Sequence, residues 1–287
     1  MMESETPRQR FTKQCQVRAS HHDIVCNYGL DTENCVQIFW YECINDNLSE
    51  EEIKEGLHML NEAKKIKCQF LMSILDVSQK VKPASFIVIT EATDGVSLAT
   101  YTRQLVSPPP DKTIIRWFKN LALAVQALHN SPIKITHGSV SLHNVYFRNS
   151  PANLKLLLPI TTLSKRSIAK QSLDIDPYTA PERVEGTISP GNDIWSLCIC
   201  FLELLTREPA YSEIKTPIEL VDALLEHRLP ESIAKVKNMQ ALDLIKKCLQ
   251  PKLFRLNIND LLADPIFAEN TEKPEERFKS SDALILV

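Results

Sequence analysis

His137-Gly138-Ser139-Val140-Ser141-Leu142-His143-Asn144 is the stretch whose reading decides the rest of the chain. It follows an amphipathic segment ending in Ala127-Leu128-His129 and precedes two short apolar runs, Val145-Tyr146-Phe147 and Leu154-Lys155-Leu156-Leu157. A polar loop between a helix and a strand pair is implied. Its side chains are two hydroxyls, two imidazoles and one amide, with no carboxylate and no ammonium. A neutral hydroxyl cannot take a proton from another hydroxyl near pH 7, so Ser139 and Ser141 make no general base. One amide oxygen does not hold a divalent cation by itself, and Asn144 reads as a residue that bonds the loop backbone.

Working outward, Ile114, Ile115, Trp117, Phe118, Leu121, Leu123, Val125 and Leu128 suit a mostly buried helix capped by Asp111 and running to His129. Downstream, apolar residues surround the whole segment Asn192 to Arg207, which marks a helix at the centre of a large core. Shorter helices are expected at about 217–227, 239–249 and 258–263. The first third differs. Gln16 to Val25 and Val36 to Tyr41 flank the turn-rich link Gly29 to Asn34 as a hairpin, and two more strands are legible at 70–77 and 85–90. Ser49 with Glu52 forms a capping box that opens a helix from about Glu50 to Lys65, in which Gly56 costs about 1 kcal/mol relative to Ala.

The chain has 287 residues, 44% hydrophobic, enough for one large core or two unequal lobes. With 33 Lys and Arg against 36 Asp and Glu, the net charge of -3 gives no electrostatic footprint for nucleic acid or an anionic membrane. No apolar run reaches the roughly 18 residues that a membrane helix needs, and the polar start has no secretory h-region. The cytoplasm or nucleus is the expected location. The eight Cys show no C-x-x-C spacing, so buried free thiols are expected rather than disulfides or zinc.

Further landmarks come in a telling order. Ala180-Pro181-Glu182, Asp193-Ile194-Trp195-Ser196-Leu197, and Cys248-Leu249 with Arg255 follow the loop. Together with His137 to Asn144 they resemble the protein kinases, through the catalytic-loop pattern H-R-D-L-x-x-x-N, the A-P-E element, the D-x-W-S-x-G start of the central helix and the C-L…R segment, here one residue short. Gly29-Leu30-Asp31-Thr32-Glu33 leading to Val36-Gln37-Ile38-Phe39-Trp40, Ile89-Thr90-Glu91, and H-G in place of H-R are similar to the with-no-lysine kinases and their inactive relatives, the nuclear receptor-binding proteins. The resemblance covers about residues 15 to 268. It implies an α+β, two-lobed fold: a tail over 1–13, a five-stranded lobe with one helix over 14–93, a mainly helical lobe over 94–270 and a second tail over 271–287. A Met start and a polar tail favour a separate chain over a domain cut from a larger enzyme.

The resemblance also assigns roles, and several are vacant. The catalytic Asp position is Ser139 and the Lys two places on is Ser141. The magnesium-binding Asp position is Leu158, which offers no hard oxygen, and only Asn144 remains of that set. The strand-three Lys that grips ATP phosphates is Tyr41, and Ile24 stands where the with-no-lysine kinases supply a Lys from the second strand. Phe39 occupies the position that roofs the adenine, Thr90 is the gatekeeper, and no glycine precedes Gly29 to make a phosphate-cradling loop. The helix Glu maps near Met59. His137, Glu182, Asp193 and Arg255 match structural roles: Glu182 paired with Arg255, and Asp193 bonded to the loop at 137–139.

These substitutions lead to an expectation of a pseudokinase, an inactive homologue with no catalytic residue, cofactor or metal, acting as a scaffold, adaptor or regulator for other proteins such as an active kinase or a signalling complex. The competing reading is a weak or atypical serine/threonine protein kinase with a rearranged Lys or acid, for example Lys155 or Asp23.

Overall fold

The computed structural model describes residues 10–16, 24–44, 49–80, 85–93, 95–148, 150, 153–158 and 175–268. His21, His22, Asp23, Ser164, Ser167, Ser172, the expected tail over 271–287 and its apolar end Leu284 to Val287 lie outside them, as does the side chain of Ile24.

Five antiparallel strands form one sheet in the order β1-β2-β3-β5-β4: β1 Phe11–Gln16, β2 Ile24–Asp31, β3 Val36–Ile44, β4 Ile74–Lys80 and β5 Ser85–Glu91. Alternation along β3 sorts its side chains between two faces. Ile38 and Trp40 join Phe11, Ile87 and Ile89 in a small outer cluster, while Phe39 and Tyr41 join the main core. Helix α1, Glu50–Lys65, spans the range expected of it and packs on β4. Gly56 has a packing reason there, because a Cβ would meet Phe86 Cζ at 3.1 Å.

Three expectations need correction. Residues 11–13, assigned to the tail, open strand β1, where Phe11 is buried and Arg10 pairs with the buried Asp31 at 2.5 Å. The link Gly29 to Asn34 is partly strand: β2 continues to Asp31, so the turn is shorter. Gly29 is admitted inside β2 because a Cβ would sit 2.7 Å from the Thr12 carbonyl oxygen of β1. Finally, Pro110 and not Asp111 caps α3, with Asp111 in the first turn.

The helical part comprises α2 Leu98–Gln104, α3 Asp111–His129, α4 Pro181–Val184, α5 Pro190–Thr206, α6 Pro217–Leu225, α7 Met239–Cys248 and α8 Ile258–Leu262. Helix α2 was not legible beforehand; Ser97 caps it by accepting the Thr100 N–H. Helix α5 is buried almost all round, and its Phe201 stacks on Phe118 of α3 with centroids 4.1 Å apart and planes 6° apart. Cys198, Cys200 and Cys248 are buried thiols in this core.

A two-stranded hairpin, β6 Val145–Phe147 with β7 Leu154–Leu156, fastens the two parts. The Leu156 N–H donates to Phe70 O at 2.8 Å and the Met72 N–H donates to Leu156 O at 2.9 Å, so the segment before β4 runs along β7. The loop at 137–144 enters this junction from the end of α3.

Candidate functional site

The loop is held from behind by the start of α5. Asp193, fully buried, accepts the backbone N–H of His137 at 2.8 Å and of Gly138 at 2.7 Å, and its third contact is His129 Nε2 at 2.7 Å. Three polar partners satisfy a carboxylate that is cut off from water. Gly138 has φ 74°, a conformation that glycine adopts without steric cost. His137 is also buried. Its Nδ1 accepts the Ser139 N–H at 3.2 Å, which puts the ring proton on Nε2, 2.8 Å from Leu157 O. Burial pushes its pKa below the ordinary value against the pull of Asp193, and the ring is neutral.

Asn144 closes the loop: its amide nitrogen donates to Ser139 O at 2.8 Å and to Ser139 Oγ at 3.1 Å, and its backbone N–H donates to the carbonyl of the buried Ser141 at 3.0 Å. The structure therefore brings His137, Ser139, Ser141, Asn144 and Asp193 into one network.

Across the sheet, Phe39 lies opposite Tyr28 on β2 and Thr90 on β5, and Tyr41 lies opposite Cys26 and Val88. The Phe39 ring is 5.4 Å from Tyr28 and 6.0 Å from Tyr41, centroid to centroid. An aromatic row thus occupies the inner face of the sheet. Burial pushes the Cys26 thiol up to about 11, although a hydrogen bond with Tyr41 acts the other way. Thr90 is buried and its hydroxyl donates to Glu91 O at 3.0 Å. Met59 and Leu158 are core residues, each nearly inaccessible.

A second buried network links α4 to the loop before α8. Arg255 donates from Nη1 to Glu182 Oε1 at 2.6 Å and from Nη2 to Glu182 Oε2 at 2.9 Å, and Asn192 Nδ2 reaches the same Oε1 at 2.8 Å. Burial alone would raise the Glu182 pKa, but the Arg255 pairing outweighs it and holds the carboxyl below its usual range.

One cluster escaped sequence reasoning. Glu91, buried at the end of β5, accepts the Ser73 N–H at 2.8 Å and pairs with both Lys155, at 2.9 Å, and Arg148. Lys155 in the otherwise apolar run 154–158 was the available signal, since a buried ammonium requires a carboxylate. Lys155, named above as a candidate stand-in cation, is committed to this pair.

Residues 37–267 match the family described as the protein kinase domain. The chain belongs to the protein kinase family. It is 28% identical over 267 residues to the mouse serine/threonine-protein kinase WNK3, covering 90% of this chain and 15% of the relative. The human serine/threonine-protein kinase WNK4 is 26% identical over 245 residues, 84% of this chain and 20% of the relative. The fruit-fly serine/threonine-protein kinase Wnk is 24% identical over 246 residues, 84% of this chain and 10% of the relative. The chain thus spans a fifth or less of the length of these curated relatives, and its resemblance to the with-no-lysine kinases is supported.

The expectation of a homologue that is not an enzyme is corrected by this finding. The relatives are named serine/threonine-protein kinases, which points to a catalytic kinase. The physical reason is that a missing group at one position closes one route only. Phosphoryl transfer rests on positioning and charge neutralisation, which other groups can supply. In this kinase domain, however, the magnesium position does not fit the ion. Leu158 has no side-chain oxygen to offer, and Asn144, whose Nδ2 is turned to Ser139, leaves only its Oδ1, a single neutral ligand where magnesium takes six. No step is assigned to a metal held there.

Proposed function

We propose that the chain works as a weak, atypical serine/threonine protein kinase. The observation that carries this reading is the similarity, over 84–90% of the chain, to proteins named serine/threonine-protein kinases. The framework supports it: the loop at 137–144 is fixed by Asp193 and Asn144, and Glu182 with Arg255 braces the helical lobe. The substituted positions bear on rate. A general base contributes about 10²–10⁴-fold and protein kinases turn over at about 1–100 s⁻¹, so transfer without a carboxylate at Ser139 is expected below about 1 s⁻¹.

The same reading includes protein partners, an active kinase or a signalling complex among them, rather than nucleic acid or a membrane, with work in the cytoplasm or nucleus. The near balance of 33 basic and 36 acidic residues supports it. Among the described residues no helix is long and apolar enough to cross a membrane. Labelled phosphate transfer from ATP to a serine/threonine protein, with Asn144→Ala as the control, tests the enzymatic part.

A further inference from the structure

On the outside of the junction between the two lobes lies a cavity of about 630 Å³, walled by Phe70 and lined by Arg116 and Asn120 of α3 and by Arg148, Asn153 and Lys155 of the β6–β7 hairpin. Among the described residues its charge is unbalanced. Arg148 and Lys155 share the single carboxylate of Glu91, which also accepts the Ser73 N–H, and Arg116 adds a third cation from an exposed position. Lys155 is 6% exposed, so its ammonium is largely cut off from water. Its Nζ is held by Glu91 at 2.9 Å and by Leu71 O at 3.4 Å, while burial and the neighbouring Arg148 lower its pKa.

Asn120 is the second observation. It sits one helical turn after Arg116, is 8% exposed, lines the cavity, and its side-chain amide makes no hydrogen bond to another described residue. Its amide atoms open onto the cavity rather than being sealed in the core, so the NH2 is free to donate to an anion held beside the three cations.

We propose that this cavity binds a phosphate group through Arg116, Arg148 and the amide of Asn120, with Lys155, held by Glu91, contributing its positive field. Arginine forks match the oxygens of a phosphate and form its strongest uncomplicated contacts. A ligand pocket typically encloses about 300–1,000 Å³, and this one has room for the group to which the phosphate is attached. Two sources share that chemistry: free inorganic phosphate and a phosphorylated serine or threonine in a peptide. The site is independent of phosphotransfer by the chain itself.

The test is calorimetric titration of the full chain with inorganic phosphate, a phosphoserine peptide and the same peptide unphosphorylated. Wild type, Arg116→Glu and Asn120→Leu are compared, with melting curves alongside. Arg116 is exposed, so Arg116→Glu should keep the fold and weaken phosphate binding by about tenfold or more; Asn120→Leu should weaken it in the same direction. Tighter binding of the phosphopeptide than of phosphate assigns the site to a phosphorylated segment, and equal binding assigns it to free phosphate. The proposal is overturned if wild type binds neither probe saturably, if the unphosphorylated peptide binds as well as the phosphorylated one, or if Arg116→Glu binds phosphate like wild type.

Discussion

Arg255 and Glu182 are joined by two parallel hydrogen bonds, Nη1 to Oε1 at 2.6 Å and Nη2 to Oε2 at 2.9 Å, although the residues are 73 positions apart. The guanidinium also lies 5.1 Å from the centroid of the Trp195 ring and donates to Gly191 O at 2.8 Å, so one side chain ties α4, α5 and the segment before α8. Both partners are out of water. Their worth is architectural, and it is measured by what happens when one partner is left alone.

Arg255→Ala and Glu182→Ala should each destabilise the chain by about 3–5 kcal/mol, because each strands a buried charge. The double variant should cost clearly less than the sum, since neither charge is then left unpaired. Denaturant unfolding of the three variants checks this; additive losses would contradict it.

The pH dependence of Glu182 follows from the direction of its shift. Its folded pKa lies below the unfolded value, so the contribution is present above an unfolded pKa of about 4.3 and is lost as pH falls through the folded value. Glu182→Gln should therefore flatten the acid limb of stability against pH, and an unchanged limb would contradict the assignment.

His137 acts in a different window. Its folded pKa is also lowered, here because burial disfavours the charged ring. Unfolded histidine takes up a proton near about pH 6.5, so stability is full above that value and falls as pH drops toward the folded pKa, by at most about 1.4 kcal/mol per unit. Protonation would also turn Nδ1 from acceptor to donor and break its bond from the Ser139 N–H. Unfolding free energies from pH 7.5 to 5.5 should show this slope, and His137→Gln should reduce it.

Much of this was legible in the sequence where burial imposes a period. Helix α1 was located by its cap and apolar spacing, and α5 by its all-round apolarity. Strand β1 was not, because only Phe11 of its six residues is buried and the sheet supplies the rest through backbone pairing. Helix α2 buries only Leu98 and Ala99, too little to print a pattern. Landmark order carried the family, whereas the vacant positions point away from the catalytic kinases that the relatives are named as. The charge sharing among Glu91, Arg148 and Lys155 joins residues 57 and more positions apart, and no local pattern encodes such a meeting.

Phe39→Ala should open the inner face of the sheet. Removing a buried phenyl costs about 3–5 kcal/mol of stability, here including the contacts with Tyr28 and Tyr41. If Phe39 fills the adenine space, ATP should raise the melting temperature of the variant more than that of wild type, by the linkage of binding to folding. Phe39→Leu, milder in stability, should behave likewise. A shift no larger than in wild type would place the ring elsewhere.

The most direct test is transfer of labelled γ-phosphate from ATP by the purified 287-residue chain to itself and to a serine/threonine protein substrate. Incorporation on serine or threonine at a rate below about 1 s⁻¹, lost in a folded Asn144→Ala variant, is the predicted result. No incorporation above background by wild type, or incorporation that Asn144→Ala leaves unchanged, would contradict it.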